Sequence, residues 1–332
     1  MSIRNRQWLL AQRPSGAVSE ANFRLVEKEM PALQDGEVLV KVHYLSLDPY
    51  MRGRMEETKS YAAPQPLNQV MIGGTVGEVI ESKNAKFQPG EMVVGFGGWQ
   101  EYHVSDGSDL RKVDTRQIPA SVYLGTVGMP GVTAWYGLNR IGKPKPGETV
   151  VVSAASGAVG SVVGQLAKVY GCRAVGIAGG KAKCDYVVNE LGFDACVDYK
   201  SADFAEAFKA ATAKGIDIVF ENVGGAVFDA ALARMNAFGR VALCGLIAGY
   251  NGEDIALRNV RSILVNRLTI EGFIVAEHMD LWPRALTELA GPVAQGKLKY
   301  RESIAQGIES VPQAFMGMLK GANFGKQLVK MV

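Results

Sequence analysis

The residues in this sequence best suited to chemistry are a set of glycines, a pair of lysines and a few tyrosines. Gly157, Gly160 and Gly164 follow a β-branched run at 149–152 and lie in a segment with helical apolar spacing. A second apolar run at 174–178 completes a strand, turn, helix and strand, one βαβ unit. A diphosphate can rest on the N–H groups of a helix N-terminus only where no Cβ stands in the way. Gly157 and Gly160, with Ala158 and Val159 between them, are therefore the candidate phosphate seat. The match to G-x-G-x-x-G is imperfect, because Ala155 holds the first glycine position. Glycines that merely let a helix pack closely are the competing reading. An NAD site places Asp or Glu about 20 residues past the glycines, on the ribose 2′-OH. Here Gly179, Gly180, Lys181 and Lys183 stand instead, and the first carboxylate is Asp185. A carboxylate would repel a 2′-phosphate, whereas a lysine attracts it as a point charge. The turn thus favours NADPH over NADH, against the alternative of a solvated lysine pair at a helix start.

Tyr250 follows an expected strand at 240–245 through the Gly-rich loop 245–249, where Rossmann sheets place ligand contacts. A phenol with an ordinary pKa of about 10 stays protonated at neutral pH and can donate a hydrogen bond. Tyr250 is the candidate catalytic donor; an exposed loop tyrosine is the alternative. Tyr50, on an expected loop after Asp48-Pro49, and Tyr61, in the loop 56–66, are candidate substrate contacts, since a ring with a hydroxyl suits a flat aromatic ligand. Plain packing is the competing role for both. Arg52 and Arg54 read as solvated or salt-bridged, and His43 and His103 as structural residues on strands.

The elements that position these residues fall into two classes. Up to about residue 120 the pattern is β-rich, with strands expected at 38–44, 73–80, 92–96 and 102–104 and no sustained helical period. Helices follow at 121–126 and 131–141, interrupted by Gly128-Met129-Pro130-Gly131. Helix and strand then alternate: helices at 183–191, 203–213 and 226–235, strands at 195–198, 216–220 and 240–245. That alternation indicates a doubly wound parallel sheet, so the fold class is α/β. One more strand is expected at 268–275 and a helix at 281–296. The tail carries a helix at 311–320 and a strand at 327–331 that returns to the first domain.

The 332 residues are 48% hydrophobic and 21% charged, with 36 Lys+Arg against 33 Asp+Glu, an ordinary globular balance long enough for two domains. No dense basic run implies nucleic acid or an anionic membrane as partner, and no apolar run approaches the ~18 residues of a membrane span. The start, Met1-Ser2-Ile3-Arg4-Asn5-Arg6-Gln7-Trp8, lacks the apolar core of a secretory signal. Cys172, Cys184, Cys196 and Cys244 form no C-x-x-C pair, and with three histidines no zinc ligand set is visible. Scattered free cysteines fit a reducing cytoplasm.

Several longer strings run in order through the chain. They are Leu45-Ser46-Leu47-Asp48-Pro49-Tyr50-Met51-Arg52-Gly53-Arg54-Met55, Gly128-Met129-Pro130-Gly131, Ser156-Gly157-Ala158-Val159-Gly160, Glu221-Asn222-Val223-Gly224-Gly225, Cys244-Gly245 with Tyr250-Asn251, and Asn323-Phe324-Gly325-Lys326. In these the chain resembles the zinc-independent medium-chain dehydrogenases/reductases of the leukotriene B4 dehydrogenase/prostaglandin reductase group, and within it the bacterial NADPH-dependent curcumin reductases. The resemblance implies a GroES-like β-barrel catalytic domain (1–121, completed by 300–332), a Rossmann NADP-binding domain (122–299) and a cleft between them. It implies reduction by NADPH of a C=C bond conjugated to a carbonyl, on a small-molecule enone that could be curcumin-like, and a homodimer. By the same resemblance Gly157–Gly160 hold the diphosphate, and Lys183 and Tyr199 the 2′-phosphate. Thr133, Asn222, Cys244, Gly245, Tyr250, Phe273, Ile274 and Val275 would contact the rest of the cofactor, joined by Asn323 from the tail. A quinone oxidoreductase of the same superfamily is the rival enzyme. A non-catalytic, RNA-binding crystallin-like relative is the rival of another class.

Overall fold

The computed structural model describes residues 3–331. Met1 and Ser2, the first residues of the start read above for a secretory signal, and Val332, the last of the tail, lie outside them. Two compact units emerge: the residues up to Gly125 together with those from Glu302 onward, and Thr126–Arg301.

The first unit opens with β1 (Arg4–Leu10) and β2 (Phe23–Glu29), an antiparallel pair. Neither stands out in the sequence, because Arg4, Arg6 and Gln7 in β1, and Arg24, Glu27 and Lys28 in β2, dilute the apolar pattern. β3 (Val38–Ser46), α1 (Tyr50–Arg54), β4 (Thr75–Ser82), β5 (Met92–Gly95), β6 (Tyr102–Ser105) and β7 (Arg111–Lys112) follow, then a 3-10 turn at Ala120–Leu124. Tyr50 is therefore the first residue of a short helix, not a loop residue. Five residues are too few to display a helical period, which is why it reads as a loop.

The second unit begins with α2 (Met129–Tyr136), continued by a π-helical turn at Gly137–Gly142. Gly128-Met129-Pro130-Gly131 starts this helix rather than interrupting it: Pro130 lies in its first turn, where a missing N–H costs nothing. Then come β8 (Thr149–Ser153), α3 (Gly160–Val169), β9 (Arg173–Ala178), α4 (Lys181–Asn189), β10 (Ala195–Asp198), α5 (Phe204–Ala211), β11 (Ile216–Glu221), α6 (Gly225–Leu232), β12 (Met235–Leu243), α7 (Arg261–Val265), β13 (Thr269–Gly272) and α8 (Trp282–Ala294). The six strands order as β10-β9-β8-β11-β12-β13, and every pairing is parallel. The chain runs outward from β8 to β10, returns to β11, and runs outward again. The switch point between β8 and β11 is where such a sheet binds a ligand, at the C-terminal ends of the strands. Strands buried on both faces, such as Val150, Val151 and Val152 of β8, make the sheet's centre. The strand expected at 268–275 ends at Gly272, so Phe273 and Ile274 lie in the connection beyond it and Val275 opens a 3-10 turn.

The chain returns to the first unit through β14 (Glu302–Gln306), α9 (Val311–Leu319) and β15 (Lys326–Lys330). β15 pairs antiparallel with β3, giving the order β14-β15-β3-β4-β5-β7 with β6 also on β3. Trp99 anchors the core beneath, with ring centroids 5.0 Å from Phe23 and 5.3 Å from Phe315 of α9. Lys326 is buried, and its Nζ donates to Asp48 Oδ1 at 2.5 Å and to the Leu47 carbonyl at 2.8 Å. This buried ion pair ties the start of β15 to the segment that carries Tyr50.

Candidate active site

In the second unit, β8 leads into a tight turn before α3. A Cβ on Gly160 would lie 2.4 Å from the Ala154 carbonyl oxygen, so only glycine lets the turn close against the helix start. Gly157 sits in the same turn and donates its N–H to Ala154 O at 2.9 Å. Gly164 has a different duty: a Cβ there would lie 1.8 Å from Cζ of Phe193, so it makes room for a ring. The missing first glycine has a structural counterpart. Ala155 is fully buried, and a Cβ on Gly176 of β9 would come within 2.8 Å of the Ala155 Cβ. The methyl that Ala155 adds fills the space that Gly176 leaves.

At the end of β9, Lys181 pairs with Asp185 one helical turn on, at 2.6 Å and in solvent. Lys183 is half-buried. Burial, and then the charge of Lys200, push its ammonium below the usual lysine range. Tyr199 lies 46% exposed, and a Cβ on Gly179 would come within 2.8 Å of its ring. Two cations held where they repel each other, beside a phenol and a glycine turn, fit the 2′-phosphate of NADPH. Lys200 is absent from the sequence expectations, because its approach to Lys183 depends on β9 and β10 lying side by side. Asp198 uses its carboxylate on the N–H groups of Gly180 and Lys200, at 2.8 and 2.9 Å, and so shapes this turn.

At the ends of β8, β11 and β12 the network is tighter. Asn222 donates Nδ2 to the Ser153 carbonyl at 2.8 Å, and its N–H to Ser153 Oγ at 2.8 Å. Glu221 is 0% exposed. Its Oε1 accepts the N–H groups of Val223 and Gly224, both at 2.6 Å. Among the described residues its Oε2 is buried with no hydrogen-bond partner. Burial pushes this carboxyl up to about 7, against the N–H groups and Ser153 that hold it down. Gly224 and Gly225 take φ of +82° and +55°, the left-handed turn that wraps the carboxylate. The Glu221 carbonyl accepts from Cys244 and Gly245 N–H at 2.9 and 3.1 Å. Burial, and then Glu221, push the Cys244 thiol up to about 12. The loop carrying Tyr250 hangs on the same turn, through Ile247 N–H to Asn222 O at 3.2 Å and Ala248 N–H to Val223 O at 2.9 Å. The Tyr250 hydroxyl accepts from Leu246 N–H at 3.4 Å, which places it over Gly245. Nothing in the sequence marks Glu221 as buried except its place at the end of the apolar run I-D-I-V-F-E.

The remaining candidates are spread more widely. Thr133, on α2, spends its hydroxyl on the Met129 carbonyl at 2.7 Å. Phe273 packs on Tyr136 and Phe220, with centroids 5.3 and 6.2 Å apart, and Val275 is buried. In the first unit, burial first and Asp48 second push the Tyr50 phenol well above its ordinary range, so it is a neutral donor. Tyr61 is 56% exposed, in the irregular stretch after α1. Asn323 donates Nδ2 to Gly325 O at 2.7 Å, within its own loop. Among the described residues no group of three or more His, Cys, Asp or Glu side chains gathers where it could hold a metal ion.

Two family models match the chain: an N-terminal domain of oxidoreductases over residues 6–113, and one described as a zinc-binding dehydrogenase over residues 158–291. The NADPH-dependent curcumin reductase of Escherichia coli is 47% identical, over 98% of this chain and 97% of that protein. Prostaglandin reductase 1 of Rattus norvegicus is 43% identical, over 99% of both. The crystal structure of CurA from Vibrio vulnificus in complex with NADPH superposes with a TM-score of 0.94 at 46% identity, covering 98% of this chain and 99% of that one.

Proposed function

Because the chain belongs to the zinc-independent medium-chain dehydrogenases/reductases, with curcumin reductases and prostaglandin reductases as its relatives, we propose that it uses NADPH to reduce the C=C bond of α,β-unsaturated ketones and aldehydes. The observation that carries the cofactor is Lys183 in the first turn of α4 with Lys200 and Tyr199 after β10, gathered around the turn that follows β9. The relatives' activities, spread over nearly the whole chain, carry the reaction class.

When bound, NADPH supplies the hydride that the β-carbon of the enone accepts. Gly157, Ala158, Val159 and Gly160 seat the diphosphate at the start of α3. Lys183 and Tyr199 hold the 2′-phosphate. Thr133, Asn222, Cys244, Gly245, Phe273, Ile274 and Val275 form the wall for the nicotinamide half, and Asn323 adds a contact from the tail. As negative charge gathers on the substrate carbonyl oxygen, Tyr250 donates a hydrogen bond to it, and water supplies the proton that the α-carbon of the resulting enolate takes up to give the saturated product. Tyr50 and Tyr61 contact the substrate; a curcumin-like diaryl enone would give their rings a flat partner. No step requires a metal Lewis acid if these donors carry the developing charge.

The deciding experiment is an NADPH assay with product identification over enones, enals, quinones and curcumin. Saturated ketone or aldehyde is the expected product. NADPH oxidation by quinones, with no saturated product from any enone, would overturn this reading in favour of a quinone oxidoreductase. For the cofactor, Lys183→Ala should raise KM for NADPH by about ten- to a hundredfold, the size of one lost charged contact, and leave KM for NADH unchanged. Equal effects on both would sink the assignment.

The same reading includes a homodimer acting in the cytoplasm. β13 is the outer strand of its sheet, and at the helix that precedes it in the chain Val260, Leu264 and Val265 are exposed, Leu264 by 79%. An open edge and exposed apolar side chains invite a second copy. Sedimentation should return twice the mass of one chain.

A further inference from the structure

We propose that Glu221 makes the cofactor site distinguish oxidised from reduced cofactor, and that this discrimination is linked to a proton. The inference rests on the NADPH reading above and deepens it.

Sheet order supplies the placement. If Lys183, Tyr199 and Lys200 take the 2′-phosphate at the ends of β9 and β10, the diphosphate crosses the switch point at the start of α3. The nicotinamide half then falls on the other side, at the ends of β11 and β12. Glu221 is the last residue of β11, and Cys244 follows β12 directly. The carboxylate is fully enclosed. The turn 222–224 covers Oε1 with two N–H groups, Ser153 approaches from β8, and Cys244 faces it from the end of β12 as its titratable neighbour. Oε2 accepts no hydrogen bond among the described residues.

A buried carboxylate costs folding free energy, and a chain that needed only to brace this turn would be served by a neutral acceptor. What a neutral acceptor cannot do is sense charge. The nicotinamide ring is neutral when reduced and cationic when oxidised. An ionised Glu221 favours the cation through a weakly screened interior, and a protonated one has no such preference. With burial pushing that carboxyl up to about 7, the sign is fixed. As pH rises through that value, Glu221 ionises and affinity for NADP+ grows relative to NADPH. By linkage, NADP+ binding releases a proton from Glu221 near neutral pH, and NADPH binding does not. The 2′-phosphate also titrates in this range, but both nucleotides carry it, so its contribution cancels in the ratio of their dissociation constants.

Calorimetric titration of the protein with NADP+ and with NADPH, from pH 5.5 to 8.5, tests this without turnover. For the wild type, Kd(NADPH)/Kd(NADP+) should rise about three- to tenfold across the range, the size of one partly screened charge pair. In Glu221→Gln the ratio should be flat. A role limited to bracing the turn would weaken both nucleotides together and leave the ratio independent of pH. A flat ratio in the wild type, or an undiminished slope in the variant, overturns the proposal. Should the variant not fold, wild-type titrations in buffers of different ionisation enthalpy count the protons released. More protons released with NADP+ than with NADPH near pH 7 supports the proposal, and equal release overturns it. Failure of both nucleotides to bind at every pH would overturn the cofactor reading itself, and this inference with it.

Discussion

Replacing Tyr250 with phenylalanine is expected to lower kcat by about 100-fold or more while NADPH affinity holds. One donor aimed at a developing oxyanion is worth roughly 3–4 kcal/mol. The geometry separates the hydroxyl from its support. The Tyr250 loop is held by main-chain bonds from Ile247 and Ala248 to the turn after β11. The hydroxyl accepts a long bond from Leu246 N–H on that loop. Because those main-chain bonds do not involve the hydroxyl, phenylalanine should keep the loop in place and remove the donor. Steady-state kinetics together with a directly measured NADPH Kd check this. An unchanged kcat would reassign Tyr250 to packing.

Lys326→Met is expected to be the most damaging change to the first unit. It leaves the Asp48 carboxylate, 8% exposed, without its cation. The Ser46 hydroxyl remains as its donor. Breaking a buried pair from one side costs about 3–5 kcal/mol, because the remaining charge cannot return to water. In a unit of this size that lowers the melting midpoint by roughly 10 °C. Adding Asp48→Asn should recover most of the loss, since the uncompensated charge is gone. Thermal denaturation of the two variants decides it, and equal midpoints for Lys326→Met and wild type would show that the pair contributes nothing. The pair also bears on function, because α1 and Tyr50 begin two residues after Asp48.

What could be read from the chain follows from where each signal is stored. The strands of the parallel sheet are legible because burial on both faces demands runs such as T-V-V-V and I-D-I-V-F. The phosphate seat and the lysine turn are legible because their chemistry is local, within a few residues of one strand end. β1, β2 and β14 are not, since they expose one side and carry charged or polar residues inside the strand. α1 is too short to show a period. The charged groups that matter most were also hidden. Glu221 meets Ser153 from β8 and Cys244 after β12 only once the sheet forms, and Asp48 meets Lys326 from the other end of the chain. A carboxylate in a string of letters looks solvated; its burial is a property of its distant neighbours.

Ala155 and Gly176 carry a consequence for how this site could change over generations. With the alanine in place, Gly176→Ala would drive two methyl carbons to within 2.8 Å of each other. Ala155→Gly, by contrast, creates only a small void, worth about 1 kcal/mol. The two substitutions are therefore epistatic, and their order matters. A lineage can pass from this fingerprint to the three-glycine form and then fill position 176, with Val187 and Cys196, 3.0 and 3.1 Å from that Cβ, giving way slightly, whereas the opposite order adds the 2.8 Å clash with Ala155. The departure from the common glycine string acts as a ratchet, and anyone recombining this loop with that of a relative would have to move both positions together.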